Sequence, residues 1–466
     1  MKFEPLLLPS TSSGQEEEAE EANLVKQTWA ESKKIWHVAG PTIFSRLAMF
    51  SLTVITQSFA GHLGDRDLAA ITLVTTLLIG ITFGFLLGMA SALETLCGQA
   101  YGAKQYHMLG VYLQRSWIVL SLGAIVMLPL FIFASPIVKF LGQPDDVAEL
   151  TGKVAIWLIP MHLSFPVQFS FMRFLQCQLK TWVIAWISGG VLVLHVVLSW
   201  VFIYILEVGI VGTALILDVS WWTSVLGLVA YSLFGGCPHS WTGFSKQGFL
   251  GLWEFFKLSL ASGIMLSLEN FYFRILIIVS GYMKNTEVAI DALSVCVTII
   301  GWESMIPLGL FAATGVRVAN ELGAGNGKGA KLATKVSLLN SIAIGILFWL
   351  IIIVFPGKLA MIFTSNTSVI QMVRELAFLL GTTILINCIQ PILSGVAVGS
   401  GWQALVAYVN LGSYYLVGIP FGLILGWFFH FGLKGIWIGM ICGTVVQTLI
   451  LTILTLEKGW ERGKTL

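Results

Sequence analysis

Apolar positions in this chain fall in long unbroken blocks, with polar residues confined to short stretches between them. A helix needs about 20 mainly apolar residues to cross a bilayer. Read against that length, the blocks predict twelve spanning helices, at 36–60, 68–91, 109–134, 147–171, 182–206, 211–234, 255–280, 289–313, 336–355, 372–398, 405–429 and 436–456. Prolines recur inside them (Pro129, Pro160, Pro166, Pro307, Pro391, Pro420). Membrane helices tolerate this because neighbouring groups satisfy the freed backbone, and bends at Pro160/Pro166 and Pro307 are expected to open space between helices. Ahead of the first block, residues 1–34 are polar and include the acidic run Glu16–Glu21. They are expected to form a disordered, solvated tail. Within it, Glu4-Pro5-Leu6-Leu7-Leu8 has the form of a short sorting signal, and no cleavable signal peptide is recognisable.

The pattern is written twice. Gly98-Gln99-Ala100-Tyr101-Gly102-Ala103-Lys104 has a counterpart in Asn320-Glu321-Leu322-Gly323-Ala324-Gly325-Asn326. Lys180-Thr181-Trp182 pairs with Ser400-Gly401-Trp402, and Gly209-Ile210-Val211-Gly212 with Gly432-Leu433-Lys434-Gly435. The offsets are all roughly 220 residues, the mark of an internal repeat. The expected fold is therefore an all-α polytopic membrane protein with twelve transmembrane helices in two pseudo-symmetric six-helix lobes. They would occupy 35–235 and 253–456, joined by a cytoplasmic linker at 236–252 and followed by a cytoplasmic C-terminus at 457–466. Two such bundles facing one another form an architecture for moving a solute across a membrane.

Composition agrees. Apolar residues make up 56% of the chain and charged residues 11%, against about a quarter charged in a soluble protein. A net charge of +2 gives no argument for nucleic acid. Of the Lys and Arg in the loops and at the ends of the blocks, about sixteen fall on the side of the termini and about seven on the other, which predicts cytoplasmic termini. The sequon Asn366-Thr367-Ser368 falls in a loop on the opposite side. The six cysteines lack metal-ligand or redox spacing and read as small buried hydrophobes. No phosphate-binding G-x-x-x-x-G-K-[ST] loop, metalloprotease HExxH or nucleophile elbow occurs. The chain thus reads as a non-enzyme with no cofactor or metal, a monomer whose partners are the bilayer and a small organic substrate.

Ionisable groups inside the bilayer are expensive and mark candidate sites. Glu269 lies in the seventh block, within Leu268-Glu269-Asn270-Phe271-Tyr272, and Glu303 in the eighth, after Trp302. Asn387 and Gln390 are three apart in the tenth, just before Pro391, and would share a face with a polar cavity. A carboxyl group there can load and release a proton. The alternative is that Glu269 pairs with Arg274 or bonds to Asn387 and only holds helices together, although a spacing of five does not put Arg274 on the same face. The first half carries Glu94, Asp218, Arg46 and His195 instead. Glu94 and Asp218 are candidate substrate contacts. Glu94 can equally brace the Gly98 turn, and His195 reads as a hydrogen-bonded packing residue. Tyr272, Trp302 and other aromatics are candidates to stack on a planar substrate, as well as residues common at lipid interfaces.

Four longer motifs carry a resemblance: Gly61-His62-Leu63-Gly64, Met89 to Ala103, Arg317 to Asn326, and Leu393 to Gln403. In this order they resemble the multidrug and toxic compound extrusion (MATE) family, particularly its plant DETOXIFICATION branch, over nearly all of the chain after Glu31. The resemblance implies two six-helix lobes, alternating access, and antiport of organic compounds against protons or sodium ions. It implies a proton-coupling role for Glu269, beside which Glu303 remains a second proton candidate from its position in the eighth span, and places Asn387 where many plant members have Asp. Asn before Ile-Gln-Pro, with an acid near Glu303, is similar to the flavonoid-transporting vacuolar group. Many prokaryotic relatives use an acid in span one, and this chain has none. The reading is a proton-coupled exporter of secondary metabolites or xenobiotics, flavonoid- or alkaloid-like, preferably in the vacuolar membrane and otherwise in the plasma membrane. An anion channel or organic-acid exporter of the same fold is the alternative.

Overall fold

The computed structural model describes residues 12–281 and 287–457, and every regular element among them is helical. We number the long helices α1 (Ser12–Leu63), α2 (Asp65–Gly102), α3 (Tyr106–Ile132), α4 (the bent pair Asp145–Trp157 and Ile159–Cys177), α5 (Thr181–Ile205) and α6 (Ile210–Gly236). The second lobe holds α7 (Leu252–Gly281), α8 (Glu287–Gly323), α9 (Gly327–Val354), α10 (Thr367–Ser400), α11 (Gln403–Phe428) and α12 (Gly432–Glu457). Ten of these are long and apolar enough to cross a membrane, and α4 makes eleven when its two bent pieces count as one span. The remaining helix, α7, is 30 residues long and carries Glu269 and Arg274. Together they give the twelve-helix, two-lobe layout. Large apolar side chains such as Val126, Trp186, Phe428 and Tyr408 point outward and are exposed, as expected where the surrounding solvent is lipid.

The repeat is visible in the backbone. Left-handed φ values pair across it: Lys104 at 59° with Gly325 at 73°, Leu179 at 62° with Gly401 at 83°, Glu207 at 50° with His430 at 58°, and Gly209 at 79° with Gly432 at 59°. L-residues pay a steric cost in this region and glycine does not. The same turns are thus built in both lobes, with glycine relieving strain at 325 and 401 that Lys104 and Leu179 carry in the first lobe.

Two breaks follow from proline. Pro160 and Pro307 lack an N–H and clash with the carbonyl four residues earlier. The chain bends by 46° between Trp157 and Ile159, and α8 is interrupted at Ser304, directly after Glu303. The lobes meet where α2 crosses α8, its repeat equivalent. A Cβ on Gly98 would lie 2.5 Å from that of Ala319, and one on Gly323 would lie 2.0 Å from the Gln99 carbonyl oxygen. Small residues allow this backbone approach in a membrane. Toward the other end, Asp65–Leu73 packs on α1 and α4, whereas Glu287–Glu303 packs on α7 and α10. The lobes are therefore joined at the end where α1 begins and are self-contained at the far end.

The structure corrects the expected tail. From Ser12 onward the chain is helical and continuous with the first span. Ile35, Val38 and Ala39 pack against Leu310, Ala313 and Val336 of the second lobe. The sorting-signal residues 4–8, the rest of 1–11, and residues 458–466 lie outside the described residues.

Candidate functional site

Glu269 is half-buried on α7, beside the Gln390 amide of α10. Its Oε2 is buried with no hydrogen-bond partner, as is the nearby Tyr414 hydroxyl. The Tyr415 hydroxyl donates to the Leu268 carbonyl at 2.8 Å, and Gln390 donates to Ser394 Oγ at 2.9 Å. Arg274 is not the partner of Glu269: it donates to the Thr76 carbonyl of the first lobe at 2.7 Å. A spacing of five turns the two side chains apart, as the helical periodicity implied.

Glu303 closes the first segment of α8 and is buried. Its Oε1 accepts from Cys388 Sγ at 3.3 Å, and its Oε2 has no partner. Cys388, read from the sequence only as a small hydrophobe, is thus a polar contact of an intramembrane acid. Asn387, its neighbour on α10, is half-buried and takes no part in the hydrogen bonds of either acid. Gln390 is brought to Glu269; Asn387 is not.

The remaining candidates separate into open and occupied groups. Trp302 is 38% exposed and meets Phe50 of α1 edge-on, with ring centroids 5.1 Å apart, so it stands between the lobes. Tyr272 is fully buried, stacked on Tyr414 at 4.2 Å, and its hydroxyl donates to the Met440 carbonyl at 2.6 Å. Both its ring face and its polar tip are used within the second lobe, so it is not free to stack on a substrate. Asp218 accepts from the Met161 N–H at 2.9 Å, and four residues on, Trp222 donates to the Pro160 carbonyl at 2.9 Å. Together they brace the bend in α4, where Asp218 satisfies a donor left over by the broken helix. Its Oδ2 is buried and unpartnered. His195 shares hydrogen bonds with Thr56 at 3.0 Å and Ser220 at 2.8 Å, the packing role expected of it.

Glu94 is fully buried and ion-paired with Arg173 at 2.6 Å. Arg173 falls two residues past the span predicted at 147–171, where a positive charge is expected to be exposed; its side chain is in fact wholly enclosed. Arg317, four residues past the span predicted at 289–313, carries the same expectation. It forms a forked pair with Glu31 at 2.8 and 3.0 Å and a further contact with Glu321 at 2.6 Å. The Phe-rich surroundings of Arg173 were the available signal, whereas nothing local marks Glu31, because its partner is 286 residues away. Among the described residues no three His, Cys, Asp or Glu side chains are placed to hold a metal ion.

Comparison with known proteins places this geometry. The MatE family profile matches residues 41–201 and 261–424. Protein DETOXIFICATION 27 of Arabidopsis thaliana is 57% identical over 433 residues, covering 93% of this chain and 89% of the relative. Protein DETOXIFICATION 26 of the same plant is 54% identical, covering 95% and 91%. The crystal structure of the eukaryotic MATE transporter AtDTX14 superposes with a TM-score of 0.86 at 35% identity, covering 94% of this chain and 98% of that one. An outward-facing multidrug resistance MATE family transporter of the MOP superfamily shares the fold, with a TM-score of 0.79 at 18% identity over 91% and 95% of the two chains. With two matched family segments, one in each lobe, and plant relatives sharing more than half of its residues, the chain belongs to the MatE family and is a multi-pass membrane transporter, not an enzyme.

Proposed function

We propose that the protein exports small organic compounds, secondary metabolites or xenobiotics, from the cytosol by alternating access in exchange for protons, with Glu269 as the principal proton site and Glu303 as the second. The observation that carries this reading is the Glu269 carboxylate: it lies in an apolar helix of the membrane bundle, no cation among the described residues pairs with it, and one oxygen has no partner. A buried charge in that position is costly, and taking up a proton removes it. Protonation then changes what Glu269 can offer Gln390 and Tyr414, and so the relative energies of two arrangements of α7 against α10 and α11. A membrane potential supplies about 2.3 kcal/mol per charge per 100 mV, in addition to the pH difference.

With both termini in the cytosol, the junction of α2 and α8 closes the cytoplasmic side, and the present arrangement is the outward-facing one. In the vacuolar membrane, the preferred location, export fills the lumen; in the plasma membrane it is efflux. Candidate substrate contacts are Trp302, which meets the first lobe at Phe50, together with Gln390 beside Glu269 and its neighbour Asn387. The test is uptake into proteoliposomes driven by a pH gradient, comparing the native chain with Glu269→Gln and Glu303→Gln. Glu269→Gln should abolish gradient-driven uptake while leaving substrate exchange at equal pH. Full gradient-driven uptake by that variant would overturn the proton role.

A further inference from the structure

The first lobe holds a charge imbalance that proton coupling does not use. Arg46, on α1, lies within electrostatic reach of both Glu94 and Arg173. Two guanidinium groups thus share one carboxylate. Glu94 is committed to Arg173 at 2.6 Å, which also donates to Gln176 at 3.2 Å. Arg46 forms no ion pair or hydrogen bond among the described residues, and its Nε is buried unpartnered, as are Nε and Nη2 of the wholly enclosed Arg173. The neighbouring hydroxyls of Thr42 and Ser45 do not compensate, because each bonds back to a carbonyl of its own helix. A buried guanidinium with free donors is held at a cost unless an anion completes it.

The position of the imbalance matters. Arg46 is half-buried, not sealed. It lies one turn from Phe50 on the same face of α1, and Phe50 meets Trp302 of the second lobe edge-on. Glu94 lies against the second lobe at Gly315, where a Cβ would be 2.1 Å from its Oε1. The excess positive charge therefore lies at the junction of the two lobes, with an aromatic pair one turn away.

We infer that Arg46, backed by Arg173, forms a carboxylate-binding subsite at the floor of the space between the lobes, and that the transported compounds are organic anions carrying an aromatic or other flat group. The guanidinium fork matches a carboxylate in two parallel hydrogen bonds, and the Phe50–Trp302 pair offers flat apolar surface to the remainder of the molecule. The inference names the substrate class for the export reading above, favouring acidic metabolites over amines. It does not require proton coupling, so equilibrium binding tests it separately from the gradient experiment.

The test uses the full chain in nanodiscs with no gradient. Thermal unfolding is followed during titration with sodium benzoate, the neutral isostere benzamide, and sodium chloride. Benzoate should raise the unfolding midpoint saturably, whereas benzamide and chloride should not. Arg46→Gln should require at least about tenfold more benzoate for half the effect, and Arg46→Lys, which keeps the charge but loses the fork, should fall between. Equal shifts from benzoate and benzamide, or an unchanged benzoate response in Arg46→Gln, would overturn the subsite. An equal response to chloride would overturn the organic-anion assignment. Should Arg46→Gln not fold, Arg46→Lys and the comparison of benzoate with benzamide on the native chain decide the matter.

Discussion

Replacing Glu31 by Gln should open the end of the molecule where the lobes are joined. Glu31 belongs to the first lobe's α1, and its carboxylate takes both Nε and Nη2 of Arg317 on α8, at 2.8 and 3.0 Å. Both residues are largely buried. Removing one member of a buried pair costs about 3–5 kcal/mol, because the other charge is left without compensation. Arg317 keeps its contact with Glu321 at 2.6 Å in the variant, so the lower figure, about 3 kcal/mol, applies. The exposed contact between Lys34 and Glu31 at 3.5 Å adds little. Only the joined arrangement contains the Glu31–Arg317 pair, so this energy moves the equilibrium between joined and parted states by roughly 10²-fold. A native reporter sits at the same seam: Cys177 is buried, its thiol donates to the Glu94 carbonyl at 3.4 Å, and its own carbonyl accepts from Asn320 of α8 at 3.5 Å. Maleimide labelling of Cys177 from the terminal side, read by peptide mass spectrometry, should accelerate by about that factor in Glu31→Gln and again in Arg317→Gln. Rates within about twofold of the native chain in both variants would refute the assignment of this pair as a latch between lobes.

Substitutions at three further positions separate structural from substrate roles. Gly323→Ala would push a methyl group to 2.0 Å from the Gln99 carbonyl oxygen, so the lobes should pack less closely and unfolding should occur earlier by about 1–3 kcal/mol; an unchanged midpoint would contradict the close crossing of α2 and α8. Tyr272→Phe removes the bond to the Met440 carbonyl and should cost about 0.6–1.7 kcal/mol of stability while leaving the substrate concentration for half-maximal transport unchanged; a rise in that concentration would return Tyr272 to the substrate contacts. Asp218→Asn keeps an oxygen for the Met161 N–H and should be tolerated, whereas Asp218→Ala should lower stability by about 1–2 kcal/mol; equal effects from the two would argue for a role of the charge itself.

What the sequence made legible follows from what lipid demands. Long apolar runs, helix-breaking prolines and the paired glycine turns are local signals, so the twelve-helix layout could be read directly, as could the break beside Glu303 that Pro307 imposes. The pairing of polar side chains was not local and was mostly missed. Asn387 and Gln390 share one face of the tenth span and both read as candidate neighbours of Glu269; only the fold distinguishes them, and it sets the Gln390 amide beside that acid. Tyr272 was offered as a substrate contact because an intramembrane aromatic looks the same whether its partner is a ligand or Tyr414, and the stacking that decides it joins α7 to α11. Arg173 and Arg317 read as loop charges, because positive charge near a span end ordinarily means exposure. Glu31 was placed in a tail because the residues around it are polar, yet the helix continues through them.

The repeat and its exceptions divide the labour between lobes. Helices α1 and α7 are equivalents, and at nearly the same depth α1 carries Arg46 where α7 carries Glu269. The turns, the crossing of α2 with α8 and the backbone angles were copied; the charges were not, and they have opposite sign. The seam shows the same asymmetry. Thr95, the counterpart of Arg317, also reaches across to the other lobe, but through a hydroxyl bonded to the Val398 carbonyl at 2.5 Å and to Gln403 at 2.6 Å. A neutral contact of this kind is worth about 1 kcal/mol, much less than the loss of a buried pair, so the Arg317 side sets how firmly the seam holds. A symmetric scaffold gives two facing states of similar energy, and unlike charges give the two lobes unlike responses. An acid in the second lobe can change its charge with pH, while a guanidinium in the first cannot. In the export reading proposed above, that difference gives the direction: the first lobe would hold the anion and the second would change the cost of moving it.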